Sequence, residues 1–234
     1  MTQNHAVVTH EEWLAARRDL LLKEKEFTRL RDELSQARRE LPWEAVDKTY
    51  VFDGPDGRHT LADLFDGRSQ LIVYHFMFNP DAPAGCPHCS RWADNFNGII
   101  VHLNQRDTSM VAVSRAPYAR LAAYRQRMGW SFKWLSSGQT DFNFDLGVSF
   151  TPEQMAAKQA YYNYQLQNPG PADREGVSVF CKDGSGRVFH TYSCYARGID
   201  MLNLDYHYLD LTPKGRDEGG RGPYWVRRHD EYGG

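Results

Sequence analysis

The chain has 234 residues, of which 41% are hydrophobic and 25% charged, as is ordinary for a globular protein with a buried core. The formal net charge of −2 argues against nucleic-acid and polyanion partners, and no stretch approaches the roughly 20 apolar residues of a membrane span. At roughly 150 residues per domain, this length favours one elaborated domain or one domain with appendages. The sequence starts without the basic-then-apolar layout of a secretory signal, so we expect a cytoplasmic protein without a membrane partner.

The first predicted element is a long helix that begins after a capping box formed by Thr9 and Glu12. Pro42 ends it, because proline cannot continue a helix. Its apolar residues recur every seven positions, at Trp13, Leu20, Phe27, Leu34 and Leu41. This N-terminal arm, residues 1–45, has two interpretations: it packs on its own domain, or its stripe forms a homodimer contact with a second copy.

A small hairpin and a buried strand are predicted next. Residues 50–52 and 59–61 flank a segment of β-turn composition, which favours a hairpin. The run QLIVYHFMF at 70–78 is β-branched and aromatic, which predicts a buried strand of a parallel or mixed sheet. Apolar residues then recur at helical spacing from Trp92 to Leu103, so we expect a helix of about five turns that starts near Pro87.

A Cys-Pro-His-Cys motif at 86–89 lies between that strand and that helix. The free N–H groups and the dipole of the helix N-terminus favour a thiolate, so we expect the pKa of Cys86 to lie below about 8.5. Cys89 is close enough to form a reversible disulfide with it. In a reducing compartment such a pair is usually redox-active or metal-binding.

The later elements alternate between strands and helices. A buried strand at 110–114 and an amphipathic helix ending at Gly129 precede a predicted edge strand at 130–135. The irregular segment 136–175 is predicted to be an insertion. Two apolar runs then flank the turn at 182–186, which predicts an antiparallel hairpin.

A short helix near 198–204 and a C-terminal extension from residue 212 complete the predicted chain. The extension is rich in glycine and charge. Its Trp225 and Tyr232 indicate that it folds back onto the body of the protein.

The order of buried strand, Cys-x-x-Cys, helix, further strand and helix, hairpin and last helix resembles the thioredoxin-like fold. Longer stretches resemble the bacterial DUF899 family, namely LIVYHFMF at 71–78, WADNFNG at 92–98, VSRAP at 113–117, RMGW at 127–130 and YHYLDLTPKGR at 206–216. The resemblance covers nearly the whole chain. It implies an α/β fold with a thioredoxin-like sheet flanked by helices at 46–211, a tail at 212–234 and dithiol-disulfide oxidoreductase activity.

Carried onto this sequence, the resemblance implies that Cys86 attacks and Cys89 resolves, while Pro87 and His88 tune the pair. The dipeptide Pro-His is also similar to that of strongly oxidising periplasmic thiol oxidases, in which the imidazole stabilises the thiolate. Gly176 stands where most thioredoxins place a cis-proline, and this departure weakens the case for thioredoxin-like peptide handling.

Three further residues are candidates for tuning or substrate binding, each with an ordinary structural alternative. Trp92 would cover the cysteine pair, or else belongs to the core. His75 would face the Cys86 sulfur, or else is a hydrogen-bonded core histidine. Arg115 follows the second buried strand, at the sheet end where ligands often bind, or else is a solvated loop residue.

The leading functional hypothesis is thiol–disulfide exchange with a protein or small-molecule disulfide or thiol, without a cofactor. A peroxiredoxin-like thiol peroxidase is the second, although Pro83 stands where peroxiredoxins carry Thr or Ser. Metal binding is disfavoured because Cys181 and Cys194 have poor zinc spacing and are predicted to be small buried hydrophobes, so no metal is expected. A non-enzymatic thioredoxin-like binding module is the remaining alternative.

Overall fold

The structure, a computed structural model, describes residues 5–233, so the start of the predicted arm and Gly234 lie outside it. It has two compact units, one ending at Pro42 and the other beginning at Trp43. The first unit holds helix α1, His10–Arg39, which begins at the predicted capping box. Glu12 N donates to Thr9 Oγ1 at 3.3 Å, and Thr9 N donates to the Glu12 carboxylate at 2.9 Å. No residue of α1 is buried.

The second unit combines strands with short helices. The strands are β1 (Glu44–Ala45), β2 (Val51–Gly54), β3 (Gly57–Thr60), β4 (Gln70–His75), β5 (Thr108–Ser114), β6 (Lys133–Ser136), β7 (Ala160–Tyr162), β8 (Gln165–Gln167), β9 (Gly176–Lys182) and β10 (Val188–Tyr195). The helices are α2 (Pro87–Ala93), α3 (Phe96–Asn104), α4 (Tyr118–Arg127), α5 (Phe142–Asp145), α6 (Pro152–Ala157) and α7 (Leu204–Leu209). Within residues 5–233, no helix is both long enough and apolar enough to cross a membrane.

Eight strands form one mixed sheet in the order β1-β10-β9-β4-β5-β6-β2-β3. The pairs β4–β5 and β5–β6 are parallel, whereas β4–β9 and β9–β10 are antiparallel. Crossover helices join the parallel strands, and a hairpin supplies the antiparallel ones. This arrangement confirms the predicted α/β fold with a thioredoxin-like sheet flanked by helices, and both predicted hairpins are present.

The strand predicted at the sheet edge is not an edge strand. β6 pairs with β5 on one side and meets β2 on the other, through Asp53 and Ser136. The hairpin formed by β2 and β3 therefore covers it. An unpaired edge exposes N–H and C=O groups that invite pairing, and a short hairpin added from an earlier part of the chain satisfies them.

The single five-turn helix predicted after the motif is also wrong, because α2 and α3 are separated at Asp94 and Asn95. Asn95 Nδ2 donates to the carbonyl oxygens of Arg91 and Trp92 at 3.3 and 3.5 Å. The Asp94 carboxylate accepts from Trp130 Nε1 at 2.8 Å. A short polar side chain that bonds to nearby backbone groups competes with helical hydrogen bonds, and Asn95 does so where α2 ends.

The two faces of β4 belong to two different cores, because successive side chains of a strand point to opposite faces. Tyr74 lies in the core that also holds Cys89, together with Phe76 just beyond the strand. Leu71 and Val73 lie in the other core. The motif helix therefore packs on the Tyr74 face of the sheet.

The C-terminal segment folds back as predicted. A 3₁₀ helix at Ala196–Leu202 leads into α7, and the chain then continues to a second 3₁₀ helix at His229–Glu231. Val226 is only 4% exposed, and the Arg91 guanidinium lies 5.6 Å from the Trp225 ring centroid. The tail is thereby attached next to the motif helix.

Candidate active site

The motif begins α2 in the predicted way. Cys86 is the N-cap of α2 and Pro87 occupies its first turn, where the missing N–H of proline costs nothing. Cys86 N donates to the carbonyl oxygen of Met77 at 3.1 Å, and Ser90 N donates to that of Cys86 at 2.9 Å. These bonds fix the first turn of α2 against the segment that leaves β4.

The half-buried Cys86 has an acidic thiol. Its pKa is lowered to about 7, mainly because the Cys89 thiol donates to its sulfur. The backbone N–H groups of Cys89 and His88 in the first turn also favour the charged form, whereas burial and the negative charge of Glu175 oppose it. Cys86 is therefore substantially ionised near neutral pH.

Cys89 has the opposite character. It is completely buried, and burial raises its pKa well above the ordinary value. Two donors adjoin its sulfur: Met77 N donates at 3.4 Å, and the Tyr74 hydroxyl beside it acts to lower the pKa. The Tyr74 hydroxyl is itself buried and makes no other hydrogen bond among the described residues. At pH 7 Cys86 is therefore about half ionised, whereas Cys89 is a thiol.

A chain of hydrogen bonds joins the C-terminal tail to the Cys86 carbonyl oxygen. Arg228 Nε donates to the Tyr124 hydroxyl at 2.8 Å, and the Ser90 hydroxyl donates to the Cys86 carbonyl at 2.9 Å. Tyr124 and Ser90 lie 2.9 Å apart. Because the single Ser90 proton is already used, Tyr124 donates to Ser90. Sequence reasoning missed this chain, since nothing local links Arg228 to a motif 142 residues away.

A cavity of about 480 Å³ adjoins the pair. Met77 and the two cysteines lie on one side of it, with His88 and Trp92 beside them. Arg91 of α2 also lines the cavity, and the other lining residues come from later in the chain: Pro171, Arg174, Glu175, Ala196, Arg197, Asp200, Asn203, Tyr206, Arg216, Glu218, Gly222 and Pro223. The volume is within the range of about 300–1,000 Å³ typical of small-molecule sites.

Of the predicted tuning residues, Pro87, His88 and Trp92 lie at the cysteine pair. Burial and the nearby Arg91 charge lower the pKa of His88, so its imidazole is neutral near pH 7. His88 therefore favours the thiolate through its backbone N–H rather than through a charged ring. Trp92 lines the cavity and meets the Tyr74 ring edge to face at 6.0 Å between centroids.

His75 lies on the opposite face of β4 from the motif, so the expectation that it faces Cys86 is wrong. The alternation of the strand that turns Tyr74 toward Cys89 turns His75 away. His75 Nε2 is 2.9 Å from Ser178 Oγ, and its ring lies 5.6 Å from that of Phe142. Burial lowers its pKa to about 3, as fits a neutral core histidine.

Arg115 is also held away from the motif. Its Nη1 lies 3.2 Å from Asp173 Oδ1, and its guanidinium lies 4.7 Å from the Phe144 ring centroid. It is not among the described residues that line the cavity. Arg115 directly follows β5 at the end of the sheet, as predicted. Its ion pair with Asp173, however, directs the side chain toward the predicted insertion at 136–175.

Gly176 begins β9 and pairs with His75. A Cβ atom there would come within 2.9 Å of both the Tyr195 ring and the Val148 side chain, so this close packing requires glycine. No peptide bond in the described chain is cis. The preceding residue, Glu175, reaches the cavity, and sequence reasoning had not singled it out.

The other two cysteines lie on the hairpin of β9 and β10. Cys194 is buried, but Cys181 is partly exposed, so the expectation of two buried hydrophobes is only half right. Between residues 5 and 233, no three His, Cys, Asp or Glu side chains form a group suited to a metal ion.

Solved structures with similar folds include three peroxiredoxin-type proteins. Peroxidoxin BcpB from Mycobacterium tuberculosis is 14% identical, with 70% of this chain and 94% of that chain covered and a TM-score of 0.46. Peroxiredoxin Q from Xanthomonas campestris is 13% identical, with 74% and 99% covered and a TM-score of 0.49. The mitochondrial 2-Cys peroxiredoxin from Plasmodium falciparum is 13% identical, with 72% and 93% covered and a TM-score of 0.42.

No curated protein matches the chain. The model of a family described as "Bacterial protein of unknown function (DUF899)" matches residues 2–232. Since this match spans nearly the whole sequence, the chain belongs to the DUF899 family.

Proposed function

We propose that the chain is a thiol–disulfide oxidoreductase in which Cys86 attacks and Cys89 resolves. The observation that carries this proposal is the asymmetry of the pair. The half-buried thiol has a pKa of about 7, whereas the buried one has a pKa well above the ordinary value. An attacking cysteine needs to be ionised and accessible, while a resolving cysteine needs to be adjacent and shielded.

The reaction has two exchange steps. The Cys86 thiolate attacks one sulfur of a disulfide, the S–S bond breaks, and one half of the substrate leaves as a thiolate. Cys89 then loses its proton, attacks the Cys86 sulfur and releases the second half. The substrate gains two electrons, and the enzyme is left with a Cys86–Cys89 disulfide that a dithiol reductant restores.

The donors at Cys89 serve the second step. While Cys86 is held in a mixed disulfide, it no longer carries the charge that opposes ionisation of Cys89. Met77 N–H and the Tyr74 hydroxyl then stabilise the developing Cys89 thiolate. The chemistry requires no cofactor, and we place it in the cytoplasm, where a dithiol reductant is at hand.

Peroxide reduction is less well supported by the residues at the motif. Pro83 offers no hydroxyl to position a peroxide, and the Ser90 hydroxyl is already engaged with the Cys86 carbonyl and Tyr124. Exchange needs neither group, so it remains the preferred chemistry.

Trapping of the mixed disulfide tests the proposal. With an aromatic disulfide that releases a coloured thiolate, Cys89→Ser should release one equivalent and retain the other half on Cys86, as mass spectrometry of the peptides would reveal. Cys86→Ser should release none rapidly, and Cys181→Ser should behave as the unmodified protein, releasing two. Equal labelling of Cys181 and Cys86 in the Cys89→Ser variant would contradict the assigned roles.

We further propose that α1 mediates a homodimer. Its heptad residues Trp13, Leu20, Phe27 and Leu34 are 51–66% exposed, and Leu41, which continues the repeat just beyond the helix, is 44% exposed. A period of seven places these side chains along one seam, which is the pattern of a two-stranded coiled coil. A second copy of the chain presents the same seam and is the natural partner.

A further inference from the structure

The cavity beside Cys86 is walled by parts of the chain that are distant in sequence. Pro171 and Glu175 of the loop before β9 line one part. Ala196 at the start of the 3₁₀ helix Ala196–Leu202 and Asn203 just after it line another. Residues of the tail, including Pro223, complete the lining. A disulfide presented on a folded protein would have to approach Cys86 between these walls, whereas a small molecule fits within about 480 Å³.

The tail wall is firmly attached. Arg228 donates to the Gly85 carbonyl oxygen from Nε and Nη2, at 3.1 and 2.7 Å. Arg127 forms ion pairs with Asp230 at 2.6 Å and Glu231 at 3.0 Å. The attached residues Arg228, Asp230 and Glu231 all follow the lining residues Gly222 and Pro223 in the sequence. The buried Val226 lies between these two groups in the sequence. The tail is thus an integral wall of the site.

The lining is rich in guanidinium groups. Four arginines line the cavity against three carboxylates, at Glu175, Asp200 and Glu218. Arg197 is the most accessible of the four, with a side chain 86% exposed and an ion pair to Asp200 at 3.3 Å. A guanidinium carries five N–H donors in a planar fork, so one such pair leaves it able to bind a further carboxylate.

We propose that the substrate of the exchange reaction is a low-molecular-weight disulfide whose thiol halves carry carboxylates. This inference rests on the proposed function and names its substrate class. The Cys86 thiolate breaks the substrate S–S bond, Cys89 closes the enzyme disulfide, and two small thiols leave through the cavity mouth. A dithiol reductant then returns both cysteines to the thiol form.

Competition between substrate sizes tests the inference. The reduced protein is mixed with oxidised glutathione or with insulin, and the oxidation of Cys86 is followed in single-turnover reactions. We expect oxidised glutathione to react about 100-fold faster than insulin. Releasing the tail with Val226→Asp should raise the insulin-to-glutathione rate ratio at least about tenfold, and Asp230→Ala is a milder second variant should the first fail to fold.

The charge of the substrate is tested with the same assay. Arg197→Glu should slow the reaction of Cys86 with oxidised glutathione about two- to tenfold. It should leave the rate with the uncharged bis(2-hydroxyethyl) disulfide unchanged. Equal slowing of both disulfides would overturn the carboxylate assignment. Insulin reacting as fast as oxidised glutathione, or a rate ratio unmoved by tail release, would overturn the small-substrate inference while leaving exchange intact. If no disulfide oxidises Cys86, the proposed function itself fails.

Discussion

The Arg228 guanidinium donates two hydrogen bonds to the carbonyl oxygen of Gly85, one residue before Cys86. The same guanidinium continues through Tyr124 and Ser90 to the Cys86 carbonyl. The end of the chain is therefore bonded to both sides of the first motif cysteine. The attachment of the tail and the backbone conformation around Cys86 therefore depend on the same hydrogen bonds.

Replacing Arg228 with methionine should destabilise the fold. Arg228→Met keeps much of the aliphatic stem but leaves the Gly85 carbonyl without its donors, and we expect the free energy of unfolding to fall by about 1–3 kcal/mol. Urea denaturation measures it. Arg227→Met is the matched control, because Arg227 bonds to the carbonyls of Tyr224 and Val226 within the tail. Equal losses for the two variants would contradict the special role of Arg228.

The reactivity of Cys86 should follow a titration centred near pH 7. A thiol with this pKa is about half ionised at pH 7, compared with about 3% for a pKa of 8.5. Iodoacetamide labelling should therefore be slow below pH 6, where the thiol is protonated, and level off above pH 8. Cys89→Ala removes the largest cause of the low pKa and should move the midpoint upward. A midpoint of 8.5 or higher in the unmodified protein would refute this prediction.

The Tyr74 hydroxyl should speed resolution but not attack. With an aromatic disulfide in stopped flow, the first coloured thiolate reports attack by Cys86 and the second reports closure by Cys89. Tyr74→Phe should slow only the second phase, by about 3–30-fold, and shift its pH profile upward, because Cys89 loses a donor. Tyr50→Phe is the control, since its hydroxyl bonds to Asp145 on the other face of the sheet. An unchanged second phase would exclude this role.

Removing the charge of Glu175 should make Cys86 more acidic. The carboxylate lines the cavity and raises the pKa of Cys86, so Glu175→Gln should move the labelling midpoint to lower pH. At pH 6 we expect labelling to accelerate about two- to fivefold. Glu153→Gln changes an exposed carboxylate on α6 and should have no effect. A shift to higher pH would show that Glu175 instead assists ionisation.

The heptad seam of α1 should determine the oligomeric state. Leu20→Glu and Phe27→Glu place charges in the seam and should convert a dimer into a monomer in light-scattering chromatography. Leu22→Glu changes a residue that is 66% exposed but outside the seam, so that variant should remain dimeric. A monomeric unmodified protein, or equal behaviour of all variants, would contradict the coiled-coil proposal.

Local signals predicted much of the fold. The capping box at Thr9, the placement of Pro87 in the first turn of α2 and the two hairpins each depend on a few neighbouring residues, and each is present. The run that became β4 was recognisable from its β-branched and aromatic composition. The same local reasoning placed Cys86 at a helix N-terminus, where the structure has it.

Long-range relationships were beyond the reach of sequence patterns. The bonds from Arg228 to Gly85 and the placement of Glu175 in the cavity arise only when distant segments pack together. The orientation of His75 is a different case, because strand alternation places its side chain on the opposite face of β4 from that of Tyr74. The sequence did not indicate which of those two faces the motif helix would cover.

The most direct test of the central claim is the redox equilibrium of the Cys86–Cys89 pair. The protein is equilibrated in glutathione buffers of graded potential, quenched with an alkylating agent and analysed by mass spectrometry. We expect a reversible two-electron transition to an intramolecular disulfide, lost in both Cys86→Ser and Cys89→Ser. Thiols that stay reduced in every buffer would contradict it and favour a binding role for this fold.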